Sequence, residues 1–277
     1  MSITQVLVPH LPSLRRFARA LSGSQKSGDA YVVALVEALV GNPSMFATDA
    51  SPKIALYRLF LKVWNSVGAN AFLDMRHQSD VLDGVEVLTP RPRQALLLLL
   101  VEGLTPGEVA EVMDVEAAEV ASLIAEADLE IANQLDPAGI LIIEDEPITA
   151  LHLENLVRDL AHHVTGVART HKEALALAKE CKPELILSDI QLADGSSGID
   201  AVNEMLKTFE VPVIFVTGHP ELLLTGAKPE PTFLIAKPFN PKTLGAIIGQ
   251  ALFFKVRSQA SVPRKAQAFQ DASSSPL

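Results

Sequence analysis

One cysteine in 277 residues, Cys181, excludes an internal disulfide and fits a chain kept in a reducing compartment. It falls late in a helical pattern, where buried filler is expected rather than a reactive thiol. Long apolar runs are also missing. The longest, Ala95 to Val101, falls far short of the roughly 20 residues a membrane span needs. The first residues carry prolines and the pair Arg15-Arg16 but no signal-peptide core. A soluble, cytoplasmic protein with no membrane partner is therefore expected. Positive charge is scarce as well, with a net charge of −10 that argues against wholesale attachment to nucleic acid or acidic lipid. The scarcity is sharpest between Gly107 and Asp136, where Glu108, Glu111, Asp114, Glu116, Glu119, Glu126, Asp128, Glu130 and Asp136 face no Lys or Arg at all.

What is present allows about two domains, each with a sizeable core, because 48% of residues are hydrophobic. In the second half, short apolar runs alternate with helical patterns. Gly139 to Ile143 runs into Glu144-Asp145-Glu146, and Pro183 to Ser188 ends in Asp189. Val211 to Val216 ends in Thr217-Gly218, and Thr232 to Ala236 ends in Lys237-Pro238-Phe239. Runs of this kind fit strands buried on both faces of a parallel sheet. Intervening helices at Leu151 to Leu160, Lys172 to Glu180 and Ile199 to Phe209 imply right-handed crossovers. All the carboxyl ends then meet on one edge, where such sheets bind ligands.

Crowded carboxylates repel, and burying them uncompensated is costly. A hard divalent cation, Mg²⁺, resolves the conflict through one or two carboxylates and retained waters. The cation and Lys237 leave room for an incoming phosphoryl group. Asp189 is then the nucleophile, with Thr217 and Lys237 available to phosphoryl oxygens. His219, just after Thr217-Gly218, is a candidate for the solvent side of that edge. His162-His163 has no third ligand suitably spaced and is expected as a surface or strand-start pair.

From about 138 to 256 these residues resemble the response-regulator receiver family. Its acidic pair matches Glu144 and Asp145, its phospho-accepting aspartate Asp189, its Thr/Ser position Thr217, and its Lys-Pro Lys237-Pro238. The resemblance implies an α/β doubly wound fold with a five-stranded parallel sheet in the order 2-1-3-4-5, the missing strand being His163 to Ala168. It further implies the backbone carbonyl of Gln191 as a metal ligand, and a sensor histidine kinase or phosphotransfer protein as phosphoryl donor. Autophosphotransfer and autodephosphorylation are the only chemistry implied, so no enzyme is expected. An aspartyl-nucleophile phosphatase would want a second Asp where Gln191 stands. One departure is Leu234, which occupies the place three before the lysine where receivers often carry an aromatic switch.

The first half is helical in pattern. Val6 to Ala20, Asp29 to Val40 and Pro52 to Val67 repeat apolar residues at helical spacing, with breaks at Gly23 to Gly28 and Asn42 to Ser51. Trp64, Tyr57 and Phe60 share the last of these and read as core. Residues 68–88 read as a connector. A helix follows over Ala95 to Val101. Thr105-Pro106-Gly107-Glu108 then has the form of a helix start, with Thr as cap, Pro in the first turn and Glu three after the cap. That short helix ends near Met113, and Ala117 to Asn133 follows with Val120, Leu123 or Ile124, Ala127 and Ile131 facing inward. Spacing alone fits either an ordinary helical hairpin or a helix-turn-helix.

Residues 89 to 133 resemble the promoter-reading region of extracytoplasmic-function sigma factors, and residues 6 to 66 more weakly their core-binding region. An all-α sigma-factor-like N-terminal domain with a helix-turn-helix is implied. The sigma pattern places cations along the second helix of the motif, where this chain has Ala121, Leu123, Glu126 and Asp128. A helix so charged is repelled by phosphates rather than neutralising them. A sigma shape without sigma charge suits a decoy for an anti-sigma factor.

Sigma-like region then receiver is the order of the PhyR family, the response regulators of the alphaproteobacterial general stress response, which this chain resembles to about residue 256. The resemblance implies a monomer whose partner is an anti-sigma factor of the NepR type. Phosphorylation would free the sigma-like domain to sequester that factor, and DNA would not be a partner. The expected division is 1–67 and 89–136 for the two sigma-like parts, 138–256 for the receiver, and 257–277 for a polar, disordered tail. The short join from Asn133 to Ala138 favours a closed form with one domain packed on the other. The competing reading is a DNA-binding two-component response regulator. In a gel shift at low salt, promoter DNA is expected to run unretarded; retardation that fades steeply with added salt would restore DNA reading.

Overall fold

The computed structural model describes residues 6–46, 51–75, 89–134, 136–192, 194–220 and 231–260. Of the disordered tail expected over 257–277, residues 257–260 instead continue the last helix, Pro241–Ala260, and 261–277 lie outside the described residues. Of the connector expected over 68–88, residues 68–75 continue the helix Pro52–Met75 and 76–88 lie outside. A 3-10 turn at Val8–His10 leads into α1 (Leu11–Ser22). Gly23, at φ 67°, closes α1 through its N–H to the Arg19 carbonyl. Ser24 at once caps α2 (Gln25–Gly41) by accepting from the Ser27 N–H. The expected break over Gly23 to Gly28 is therefore only a tight turn. α3 spans Pro52–Met75, past the helix end expected at Val67, because Gly68 is followed by residues such as Ala69, Ala71 and Leu73 that sustain a helix.

Pro92 in its first turn starts α4 (Arg91–Leu100) earlier than expected. α5 (Pro106–Met113) carries the anticipated capping box. Glu108 Oε2 accepts from the Thr105 N–H at 2.8 Å, and Thr105 Oγ1 accepts from the Glu108 N–H at 3.3 Å. α6 (Ala117–Gln134) buries Val120, Leu123 and Ala127. In the core of this half, Phe17, Tyr57, Phe60 and Trp64 pack with Leu14, Leu35, Leu39 and Leu56, so the aromatic stripe of α3 is interior. The Tyr57 hydroxyl donates to Glu102 Oε2 at 2.6 Å, and Lys53 Nζ donates to the Glu102 carbonyl at 2.8 Å. Burial pushes the Glu102 carboxyl up, against the hydrogen bond from Tyr57 and the nearby Lys53.

The second half is an α/β unit: β1 (Gly139–Ile143), α7 (Pro147–Asp159), β2 (His163–Ala168), α8 (His171–Cys181), β3 (Leu185–Ser188), α9 (Gly198–Met205), β4 (Val213–Thr217), β5 (Phe233–Ala236) and α10 (Pro241–Ala260). All strand pairs are parallel, in the order β2-β1-β3-β4-β5. Alternate β1 and β3 side chains enter two cores, Ile140, Ile142, Leu185 and Leu187 on one face, Leu141, Ile143 and Ile186 on the other. Cys181 is exposed, not buried filler, because it ends α8 on the outer face. The histidine pair divides: His163 is exposed, while His162 is buried and its Nδ1 accepts from the Ala138 N–H at 3.2 Å. Among the described residues no helix is long and apolar enough to cross a membrane.

The two halves are packed together through α10, which lies against α1, α4 and α6. Arg93 on α4 is 1% exposed, with its guanidinium 4.4 Å from the centre of the Phe253 ring. Gly249 passes Ile131 so closely that a Cβ there would come within 3.1 Å of it. Beside this contact lies a cavity of about 620 Å³, walled by Leu96, Leu100 and Ile131 from one half and Leu160, Gly245 and Ala246 from the other.

Within the first half, Arg19 is the buried cation that most needs a partner, at 1% side-chain exposure. Its guanidinium grips Asp29 with donor distances of 2.8 and 2.7 Å, and Arg15 adds contacts at 3.2 and 3.1 Å. Burial alone would raise the Asp29 carboxyl, but the hydrogen bonds from Arg19 and Arg15 hold it below its ordinary 3.8. This contribution is present above pH 3.8 and is lost as pH falls through the lower folded value. Asp29→Ala is expected to remove about 2 kcal/mol of stability at pH 7, discounted from a fully buried pair for the exposure of Asp29. Urea unfolding at neutral pH and below pH 3.8 checks it: the gap between variant and parent must shrink in acid.

Candidate functional site at the carboxyl edge of the sheet

Strand ends deliver the chemistry. β1 finishes at Ile143, so the next residues, Glu144 and Asp145, stand at the edge. β3 finishes at Ser188 and presents Asp189, whose N–H donates to the Ile143 carbonyl at 2.8 Å and ties the two loops. β5 finishes at Ala236 and presents Lys237, whose N–H donates to the Thr217 carbonyl at 2.7 Å. The Lys237-Pro238 peptide is cis.

Lys237 Nζ donates to Asp189 Oδ2 at 2.6 Å and to Glu144 Oε2 at 2.7 Å. One ammonium thus bridges two carboxylates from different strands. Burial pushes the Glu144 carboxyl up, and Lys237 only partly offsets it. For Lys237, burial would lower the ammonium's value, but the hydrogen bonds to Asp189 and Glu144 carry it above 10.5. One carboxylate oxygen each from Glu144, Asp145 and Asp189 lies within 4.8 Å of the others. Three converging hard oxygens fit a divalent cation of the Mg²⁺ type. Glu144 is buried, while Asp145 and Asp189 are partly buried, the Asp189 side chain being 12% exposed.

Thr217 shares the edge but is fully buried, and its Oγ1 accepts from the His219 N–H at 3.1 Å. Gln191 follows Asp189 with an exposed side chain and pairs with Ser197 in an isolated antiparallel bridge. Leu234 is partly buried and packs against the core on one face of the sheet. The sequence reading therefore brought together Glu144, Asp145, Asp189 and Lys237, with Thr217 and Gln191 beside them.

It missed Gly198. A Cβ at Gly198 would stand 1.8 Å from the Asp189 carbonyl oxygen and 2.7 Å from Ser188 Oγ. The first turn of α9 therefore presses directly on the backbone of Asp189, and the Gly198 N–H donates to the Ile190 carbonyl at 2.8 Å. The only sequence signal was a glycine among the polar residues after Asp189. His152 stacked on Phe239, with ring centres 5.0 Å apart, was also not foreseen.

In the first half, the helix-turn-helix arrangement is α5, a turn at Asp114 with φ 56°, and α6. Ala121, Glu126 and Asp128 are exposed on α6, whereas Leu123 is only 9% exposed and faces the core. Cations beside this acidic surface are engaged: Arg93 with Glu130 at 3.3 Å, Arg91 with Glu119 at 3.7 Å and Arg58 with Glu111 at 3.9 Å.

Residues 7–61 match the family described as the Sigma2 domain of PhyR, and residues 85–134 that described as Response regulator PhyR, sigma-like domain. Residues 140–249 match the Response regulator receiver domain. The Phyllosphere-induced regulator PhyR of Methylorubrum extorquens is 52% identical over 257 residues, 92% of this chain and 96% of that protein. The crystal structure of the response regulator PhyR from Brucella abortus superposes with a TM-score of 0.81 at 49% identity, covering 94% of this chain and 98% of that one. The anti-anti-sigma factor PhyR from Bartonella quintana does so with a TM-score of 0.84 at 46% identity, covering 95% and 100%.

Gly198→Ala is expected to push α9 off Asp189 and weaken binding of Mg²⁺ and beryllofluoride at this edge by about 10–100-fold, the range for lost supporting contacts around a metal site. Titration followed by NMR of the edge amides measures it, and unchanged affinities would refute the role given to this glycine.

Proposed function

Because the chain belongs to the PhyR family of response regulators, we infer that it is an anti-anti-sigma factor whose sigma-like half is released when its receiver is phosphorylated. The observation that carries this reading is the bridge from Lys237 to both Asp189 and Glu144, set on the same α/β unit whose α10 covers the sigma-like half. Site and covered surface are joined by one continuous segment, β5 to α10.

In this reading an Asp189 carboxylate oxygen attacks the phosphorus of a phosphohistidine on a sensor kinase or phosphotransfer protein. The new O–P bond forms as the P–N bond breaks, and the electron pair returns to the imidazole nitrogen. Glu144, Asp145, Asp189 and the Gln191 carbonyl would hold Mg²⁺, which when bound offsets the negative charge of the phosphoryl oxygens. Lys237 gives up one of its two carboxylates to pair with a phosphoryl oxygen, since the new group brings about −1.5 to −2 charges. Thr217 Oγ1 turns from the His219 amide towards the same group. Later hydrolysis, with water attacking phosphorus and Asp189 leaving, resets the site. The protein itself is a regulator, not an enzyme acting on a small substrate.

The partner is an anti-sigma factor of the NepR type, taken up by the sigma-like parts 1–67 and 89–136 once the receiver 138–256 lets go. DNA is not a partner, given the acidic exposed face of α6. A monomer acting in the cytoplasm fits this role. Pull-down of the cognate anti-sigma factor with beryllofluoride and Mg²⁺ is expected to gain at least about tenfold over the untreated protein, within the usual range of coupling between two sites. Asp189→Ala must lose that gain. Equal capture in all three cases would sink phosphorylation control.

A further inference from the structure

We propose that Gln250 is the lock of the closed form, a single receiver side chain that fastens both sigma-like parts at once. Gln250 lies on α10 and is 1% exposed, which is unusual for a glutamine that could reach water from a helix surface. Its Nε2 donates to the Ala20 carbonyl at 3.0 Å and to Thr89 Oγ1 at 2.8 Å. Its Oε1 accepts from Arg93 Nη1 at 3.3 Å. Both N–H groups and the oxygen of one amide are thus used, and among the described residues no side-chain partner of Gln250 belongs to the receiver.

The partners are divided between the two sigma-like parts. Ala20 belongs to the stretch that matches the sigma2 domain, and Arg93 to the stretch that matches the sigma-like domain. Thr89, at the start of the second part, passes the link on by donating to the Leu21 carbonyl of the first, while its own carbonyl accepts from Gln94 Nε2 at 2.8 Å. Arg93 completes the lock: it also donates to the Gly249 carbonyl at 3.1 Å, lies 3.3 Å from Glu130, and stacks on Phe253. At the start of α10, Thr243 Oγ1 donates to the Leu100 carbonyl at 3.0 Å, just beyond Lys237-Pro238.

Two consequences follow from the chemistry of a buried amide. In the open form water satisfies Gln250, Arg93 and the Ala20 carbonyl, so the network favours closure only modestly and is reversible. A partial opening, with one sigma-like part released, would leave a buried polar atom unpaired and is disfavoured. Release is therefore concerted, and a partner that spans both parts meets them together.

The inference rests on the proposed function for its biological meaning but not for its test. Gln250→Met keeps volume and helix propensity and removes the amide. Without any phosphoryl mimic, the full chain carrying it is expected to show a larger radius of gyration by small-angle X-ray scattering. It should also capture the cognate anti-sigma factor at least about tenfold better than the parent, the scale of losing a charged hydrogen bond with its companions. Arg93→Met should act likewise, and the double variant should add less than the sum of the two. An unchanged radius in Gln250→Met, while beryllofluoride opens the parent, overturns the lock. A larger radius with no gain in capture upholds the lock and counts against the anti-anti-sigma reading instead.

Discussion

A single ammonium shared by two carboxylates is the constraint on which the rest of the molecule turns. Glu144 sits almost without solvent, and its charge is tolerable there because Lys237 stands 2.7 Å away. Asp189 makes the same claim on the same lysine at 2.6 Å. Any negative group arriving at Asp189 has to renegotiate both contacts, because Lys237 has nowhere to send its charge except among these oxygens. The position of Lys237 is in turn the position of the chain between β5 and α10. Charge at the edge is thereby converted into a demand on the segment that carries the interdomain contact.

That contact is built to be left. Apolar side chains such as Phe253, against Arg93, and Phe254, against Gly23, favour closure. Against them stands a cavity of about 620 Å³ between the halves, bordered by the small residues Gly245 and Ala246. Unfilled space forfeits dispersion contacts, so the closed state holds less strongly than a continuous core would. The polar groups at the seam add geometry more than strength. An interface of this kind, with good hydrogen bonds and incomplete packing, suits two states separated by a few kcal/mol rather than a permanent union.

Much of the receiver could be read from residue order. Apolar runs ending in Glu144-Asp145, Asp189, Thr217 and Lys237 leave few topologies once crossovers are right-handed, and strand β2 at His163–Ala168 falls where the resemblance put it. The capping box at Thr105 was equally legible because its signals are local. The misses have a common cause. Gln250 and Arg93 act through contacts far away in sequence, and Gly198 through a close approach to Asp189 that only the folded loop creates; nothing in their neighbours marks a helix glycine as a pressure point or a glutamine as a fastening. Cys181 and the extension of α3 to Met75 failed for a milder reason, since periodicity locates a helix better than it locates its outer face or its end.

The acidic surface of α5 and α6 lies on a different face from the residues that pack. On the sigma-like half, Glu126 and Asp128 are exposed, and the neighbouring cations Arg58 and Arg91 are already engaged with Glu111 and Glu119. Removing cations from a helix-turn-helix deletes promoter affinity without touching the apolar positions Val120, Leu123 and Ala127 that hold the helices in place. Shape and charge are thus carried by different faces of one helix and can change independently. A fold can keep the outline by which a protein partner knows it without the cations that reading a nucleic acid requires. That separation of faces is what lets a sigma-like domain serve as bait.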